Sequence, residues 1–373
     1  MTGPSGFGIF TPPGGGAPRV GWRAGERVVD LEAAGLGDVF AAPSLNPFLV
    51  RGRLAWEEAL ARIAAVGAEA PSHALAEVEL HLPFEVADYV DFYSSLEHAT
   101  NVGRLFRPGA EPLPENWRWL PTGYHGRAGT VVVSGTPVVR PRGQSRAPDE
   151  RVPRYGPSRR LDVELELGFV VGVGSRLGEP VPASAFADHV FGVVLLNDWS
   201  ARDIQAWESQ PLGPFLGKSF ATSISAWVTP LGLLQPARVE APAHDPPSLP
   251  YLAGGDDWGL DVELGLELNG TVVSRGNARA LYWTMPQQLA HATVNGASLR
   301  TGDLMGTGTI SGPERGSEGS LLELTRDGAE PVRLAGGAER GYLEDGDEVV
   351  LRGRAGAVEL GEVRGRVLPA LTG

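Results

Sequence analysis

Alternation of apolar and polar positions with a period of two recurs along this chain, and helical periodicity is rare. Residues 7–10, 19–22 and 26–31 read as short strands broken by Gly/Pro turns such as PPGGGAP, and the WEEALARIAAV that follows has helical spacing. Over residues 161–171, LDVELELGFVV, Leu161, Val163, Leu165 and Leu167 face one way and Asp162, Glu164 and Glu166 the other. DVELGLELNG at 261–270 repeats the pattern with Glu263 and Glu267, and VFGVVLL at 190–196 is a continuous apolar strand. Two stretches are predicted to be helical. In DFYSSLEHATNVGRLFRP, residues 91–108, Ser94 and Glu97 have capping-box spacing, so a helix should begin near Ser95. The second is YWTMPQQLAHATV at 282–294. The expected architecture is mainly β with a few helices: a small barrel over residues 1–82 and a larger unit over 83–373. A chain of 373 residues exceeds the usual size of one core, which agrees with two units.

Composition narrows the function. Hydrophobic residues make up 42% and charged residues 21%, an ordinary globular balance. The net charge of −13 disfavours nucleic acid and anionic membrane as partners and suits a bound cation. Neither a charged, apolar leader nor a run of eighteen apolar residues is evident, so a soluble cytoplasmic protein is expected. The absence of cysteine excludes disulfides, thiol nucleophiles and thiolate-held metals. Lys218 is the only lysine among 32 Lys plus Arg. A coding bias toward arginine accounts for the rest. The residue that escaped it sits where a planar guanidinium does not substitute for a compact ammonium.

Several residues then stand out as candidate chemistry. His98 falls in the first turn of its predicted helix and shares a face with Val102 and Leu105, so it should point inward. A helix N-terminus favours the neutral imidazole, which can accept a proton; a satisfied core histidine is the plainer reading. Glu164 and Glu166, two apart on one strand face, lie roughly 7 Å apart and can reach one cation. The same pattern at Glu263 and Glu267 shows that alternation alone does not separate a metal strand from a solvated one. Asp198 ends a buried strand; if a helix begins there, Asp198, Arg202 and Gln205 share one face. PLGPFLGKSFATSIS brings Lys218 and Thr222, and the glycines around Tyr124 and His125 suggest a ligand-accessible loop. GTGTISG at 306–312 offers backbone N–H groups and the Thr309 hydroxyl to a carboxylate or oxyanion. GVGSRLG has the wrong spacing for a dinucleotide loop and is set aside.

Taken together, DFYSSxxHATNVGxxFRP, PxGYHGRA, SGTPxxRP, LDxELELxF, NDWSARDIQxWE, PLGPFLGKSF and GTISG resemble the fumarylacetoacetate hydrolase family, over about residue 88 to the C-terminal VLPAL. The resemblance implies an SH3-like N-terminal barrel, a mixed β-roll catalytic domain, a homodimer and a bound Ca²⁺ or Mg²⁺. It also implies hydrolysis of a carbon–carbon bond in a small diketo acid, fumarylacetoacetate, yielding fumarate and acetoacetate in the last step of tyrosine and phenylalanine breakdown. Carried over by motif, Asp91, Glu164, Glu166 and Asp198 are the metal carboxylates, with Lys218 and Thr222 beside a second cation position. Tyr93, Arg107, Tyr124, Gln205 and Thr309 match substrate contacts, His98 the general base, and Glu323 the carboxylate orienting it. Where the family has tyrosine, this chain has Ser209, which puts one substrate contact in doubt.

The chemistry suits these parts. Cleaving a β-diketone with water needs a base, a polarised carbonyl and donors for an oxyanion, roles that fall to His98 with Glu323, the cation, and Lys218, Arg202 and Gln205. Arg107 and Tyr93 would anchor a terminal carboxylate. Relatives of this fold also act as acylpyruvate hydrolases, decarboxylases or hydratases of smaller oxo acids. A non-enzymatic metal-binding protein would account for the carboxylates but leave His98, Glu323 and Lys218 unexplained.

Overall fold

The computed structural model of the chain describes residues 3–66, 70–107, 109–147, 149–254 and 258–372, so Pro108 of the DFYSSxxHATNVGxxFRP motif lies outside it. The protein is mainly β, with few and short helices, and among the described residues none is long and apolar enough to cross a membrane. The elements that build the site are, in chain order, β1 (Gly3–Thr11), β2 (Tyr89–Phe92), α1 (Leu96–Phe106), β3 (Leu165–Val171), β4 (Val190–Asp198), α2 (Arg202–Glu208), β5 (Thr222–Ile224), β6 (Leu304–Gly306) and α3 (Leu321–Leu324). Five of the strands are adjacent in the order β2–β6–β3–β4–β5, parallel between β2 and β6 and antiparallel thereafter.

Strand β4 shows how the sequence fixes this layer. All nine of its residues are buried, so it cannot alternate apolar with polar and reads as a continuous hydrophobic run. Val193 and Leu195 pack into one core cluster, while Val194 and Leu196 face a second. That second cluster also holds Phe7, Phe40, Phe48 and Trp56 from the N-terminal segment, and the rings of Phe7, Phe48 and Trp56 meet Phe191. The N-terminal segment therefore shares its core with the central strands.

The expected N-terminal strands are present, as is the helix, Arg53–Ala65. The barrel is corrected: among the described residues no sheet closes into one. β1 pairs with Arg19–Ala24, but it also pairs with Trp227–Pro230 and Val358–Leu368. Its hydrogen-bonding edges are thus joined to strands from the far end of the chain, which extends the sheet where a barrel would close it.

Candidate active site and cation cluster

Asp91, Glu164, Glu166 and Asp198 converge at the ends of neighbouring strands, each offering a carboxylate oxygen within 4.8 Å of the others. All four are buried, although the same alternation elsewhere marks a solvated face. Glu166 and Asp198 lie on the parity of Val170, Val194 and Leu196, so they continue one apolar face of the sheet as it reaches the site. Asp91 comes alongside because β6 lies between β2 and β3, pairing Gly306 with both Asp91 and Gly168. Position 306 must be small. A methyl there would sit 2.6 Å from Asp91 Oδ1 and 3.0 Å from Glu166 Oε2. Gly308, at a φ of +76°, turns its N–H onto Asp91 Oδ1 (3.2 Å) and Glu166 Oε2 (3.1 Å). By contrast Glu263 and Glu267 pair with Arg354 and Arg352 at the surface, and Glu263 is 64% exposed.

Two cations enter this acidic ground. Lys218 donates from its ammonium to Glu164 and, at 3.0 Å, to Asp198. Arg202 lies 2.9 Å from Glu164 and donates at 2.8 Å to Asp162, a buried carboxylate that also accepts the N–H groups of Leu321 and Leu322 at the start of α3. Asp162 thereby ties the arginine to the helix bearing Glu323. Burial is the largest influence on each acid and raises its pKa. For Asp91 and Glu166 neighbouring carboxylates add to it; for Asp198 the Lys218 charge offsets it only in part. Glu164 goes the other way, because Lys218 and Arg202 outweigh its burial and hold it well below the ordinary range. Burial disfavours both cations, yet the acids beside them raise their pKa values.

The donor set fits a hard divalent cation. It is all oxygen and rich in carboxylate, and Glu166 Oε1 is a buried acceptor with no hydrogen-bond partner among the described residues. Since burial raises the pKa values of Asp91, Glu166 and Asp198 above those of the unfolded chain, metal-free stability should fall as pH rises above the ordinary carboxylate range. A cation would bind the ionised carboxylates in competition with protons. Adding Ca²⁺ or Mg²⁺ to chelator-treated protein should therefore raise Tm more at about pH 8 than at about pH 5.5. Equal shifts by thermal scan at both pH values would remove the cluster as the cation site.

His98 meets this cluster from α1. The helix is capped by Ser95, one residue beyond the expected Ser94, and Ser95 Oγ accepts the His98 N–H. His98 Nδ1 lies 2.6 Å from Glu323 Oε2, and Nε2 is 3.9 Å from Glu164. Burial would raise Glu323, but His98 and hydrogen bonds from Asn101 and Ser320 outweigh it and keep the carboxyl ionised. Tyr93 stands edge-on to the imidazole, centroids 5.2 Å apart.

A cavity of about 300 Å³ joins these parts. Asp91, Tyr93, His98, Tyr124, Glu164, Arg202, Gln205, Lys218 and Thr309 all line it, and the buried Thr309 hydroxyl has no partner among the described residues. Tyr124 donates to Asp198, and Thr222, behind the wall, donates to it at 2.9 Å. Arg107 and Ser209 are not brought to the cavity. Arg107 follows the end of α1 and turns outward to the carbonyl of Pro112, while Ser209 closes α2 by donating to the Gln205 carbonyl. The helical face expected to hold Asp198, Arg202 and Gln205 is also corrected. Asp198 ends β4, Ser200–Ala201 pairs with Leu161–Asp162, and the helix starts only at Arg202. Sequence reasoning missed Asn101, Ser311 and Ser320, all bonded to Glu323, although Ser320 and Glu323 carry a capping-box spacing that pointed there.

This combination of a carboxylate cation cluster with a carboxylate-oriented imidazole on a shared cavity defines a metal-assisted hydrolase type of site. The chain belongs to the fumarylacetoacetate hydrolase family: residues 88–368 match the family model for the fumarylacetoacetate (FAA) hydrolase C-terminal domain. It is 45% identical to the fumarylacetoacetase of Bos taurus over 399 residues, covering 98% of this chain and 95% of the bovine one. With the fumarylacetoacetase of Homo sapiens the identity is 44%, and with that of Arabidopsis thaliana 45%, covering 98% of this chain in both cases and 95% and 94% of theirs. A fumarylacetoacetate hydrolase structure from Exiguobacterium antarcticum shares the fold at a TM-score of 0.61 and 18% identity, covering 98% of this chain and 99% of that one. A maleylpyruvate hydrolase from Sphingobium does so at 0.56 and 18%, covering 97% and 100%.

Proposed function

We propose that this chain hydrolyses fumarylacetoacetate to fumarate and acetoacetate. The observation that carries this reading is the setting of His98: Nδ1 is held by Glu323, leaving Nε2 toward the cavity that Glu164, Arg202, Lys218 and Thr309 also line. With Glu323 ionised and accepting the Nδ1 proton, the Nε2 lone pair is free to take a proton from water. The water oxygen bonds to the carbonyl carbon on the fumaryl side, and the displaced electron pair moves to the carbonyl oxygen. Lys218, Arg202 and Gln205 supply the donors for that oxyanion. Its collapse breaks the carbon–carbon bond, and the departing acetoacetate carbanion takes the proton from His98. Tyr93, Tyr124 and Thr309 orient the substrate through their hydroxyls.

Asp91, Glu164, Glu166 and Asp198 would hold a Ca²⁺ or Mg²⁺ ion, with Thr222 and Lys218 at its edge. When bound, such an ion polarises the diketone oxygens and balances charge on the leaving enolate. By family likeness the protein is read as a cytoplasmic homodimer, with residues 1–82 as a scaffold unit and 83–373 as the catalytic β-roll. The test is loss of the diketone absorbance of fumarylacetoacetate with and without a chelator. No chelator-sensitive turnover would overturn the proposal.

Lys218 offers a second test. Its ammonium is enclosed by Glu164 and Asp198, where a broader guanidinium would displace one of them or hold its charge too far from the oxyanion. Lys218→Arg is expected to keep its fold and lose about 10²–10³-fold in kcat. Wild-type turnover by this variant would strike Lys218 from the site.

A further inference from the structure

Glu323 separates two cavities. On one side it holds His98 at the wall of the substrate cavity; on the other it forms part of a cavity of about 370 Å³, lined also by Asn101, Arg104, Arg315 and Arg326. Its two oxygens are treated differently. Oε2 meets His98 Nδ1 and accepts from Ser311 (3.0 Å) and Ser320 (2.8 Å). Oε1 accepts from the Asn101 amide at 3.0 Å, its one recorded donor among the described residues. Asn101 stands three residues after His98 on α1, so imidazole and amide lie on neighbouring turns and grip the two ends of one carboxylate.

A buried carboxylate with one oxygen facing a polar cavity can rotate about its terminal torsion and present either oxygen, or its edge, to the ring. The amide removes that freedom. We infer that Asn101 is a positioning residue for the hydrolysis: by donating to Glu323 Oε1 it fixes the rotation of the carboxylate, keeps the His98 proton on Nδ1, and so keeps Nε2 as the acceptor facing substrate. Asn101 does not line the substrate cavity, so its effect belongs on kcat and not on KM.

The inference rests on the functional reading above, and the test separates the two. Asn101→Ala and Asn101→Asp are compared with wild type for turnover of fumarylacetoacetate, for Tm, and for the ¹⁵N shifts of the His98 ring, assigned with His98→Gln. Alanine loses the donor but leaves room for water from the adjoining cavity, so kcat should fall about 10-fold at unchanged KM. Aspartate matches asparagine in shape but offers Oε1 an acceptor, and should fall further, about 100-fold, with the ring leaving the Nδ1–H tautomer. If Asn101 served packing alone, the isosteric aspartate would be the milder change; that order, or wild-type kcat in both variants, overturns the inference. If wild type itself does not turn over fumarylacetoacetate, the functional reading fails. The ring shifts then decide alone, and an unchanged tautomer in Asn101→Asp rejects the role.

Discussion

With His98 replaced by alanine, kcat is expected to fall by about 10²–10⁴-fold while Tm and cation affinity stay near wild type. The ring is buried and fixed from both directions, by its backbone N–H on Ser95 Oγ and by Nδ1 on Glu323, so in the folded enzyme its free function is at Nε2. Its removal leaves a small space between Tyr93 and Glu323 but strips no ligand from the carboxylate cluster. Retention of more than about a tenth of the activity would show that another group activates the water.

The second large effect separates two strands of nearly identical pattern. Glu164→Gln and Glu166→Gln should both abolish cation-dependent activity, whereas Glu263→Gln and Glu267→Gln should leave it intact. The stability of the two site variants should differ in sign. Burial and Asp91 raise the pKa of Glu166, so glutamine removes a charge that the cation-free site disfavours, and chelated Glu166→Gln should melt no lower than chelated wild type. Glu164 is the counter-ion of Lys218 and Arg202, and its neutralisation strands buried positive charge, at a cost of about 3–5 kcal/mol. Glu263 and Glu267 are partners of surface arginines and should be silent. Equal losses in all four variants, measured by activity and calorimetry, would end the assignment of the cluster.

Much of this was legible in the sequence because its signals are local. Period-two alternation placed the strands, the polar run before His98 placed α1 to within a residue, and the continuous apolar run at 190–196 marked a strand covered on both faces. What escaped depends on contacts distant in the chain. The alternation of Asp162, Glu164 and Glu166 is the same whether the acids meet water or one another. Only the strands beside them, β4 carrying Asp198 and β6 with the Asp91 strand on its far edge, bury them. The N-terminal strands looked able to close on themselves because nothing in residues 1–82 shows that β1 pairs with strands more than two hundred residues away. Arg107 and Ser209 drew attention through motif position, yet each spends its polar group on a nearby backbone carbonyl.

The shared parity of Glu166, Asp198 and the apolar residues preceding them has a consequence for misfolding. Were β3 or β4 to shift by one residue against its neighbour, carboxylates and aliphatic side chains would exchange faces together, moving the acids off the face they share with Val194 and Leu196 toward the core around Val193 and Leu195 and dismantling the cation site in one event. A partly correct alignment that keeps the core but loses the site is thereby denied to this sheet. The acids that serve the chemistry also act as proofreaders of strand alignment.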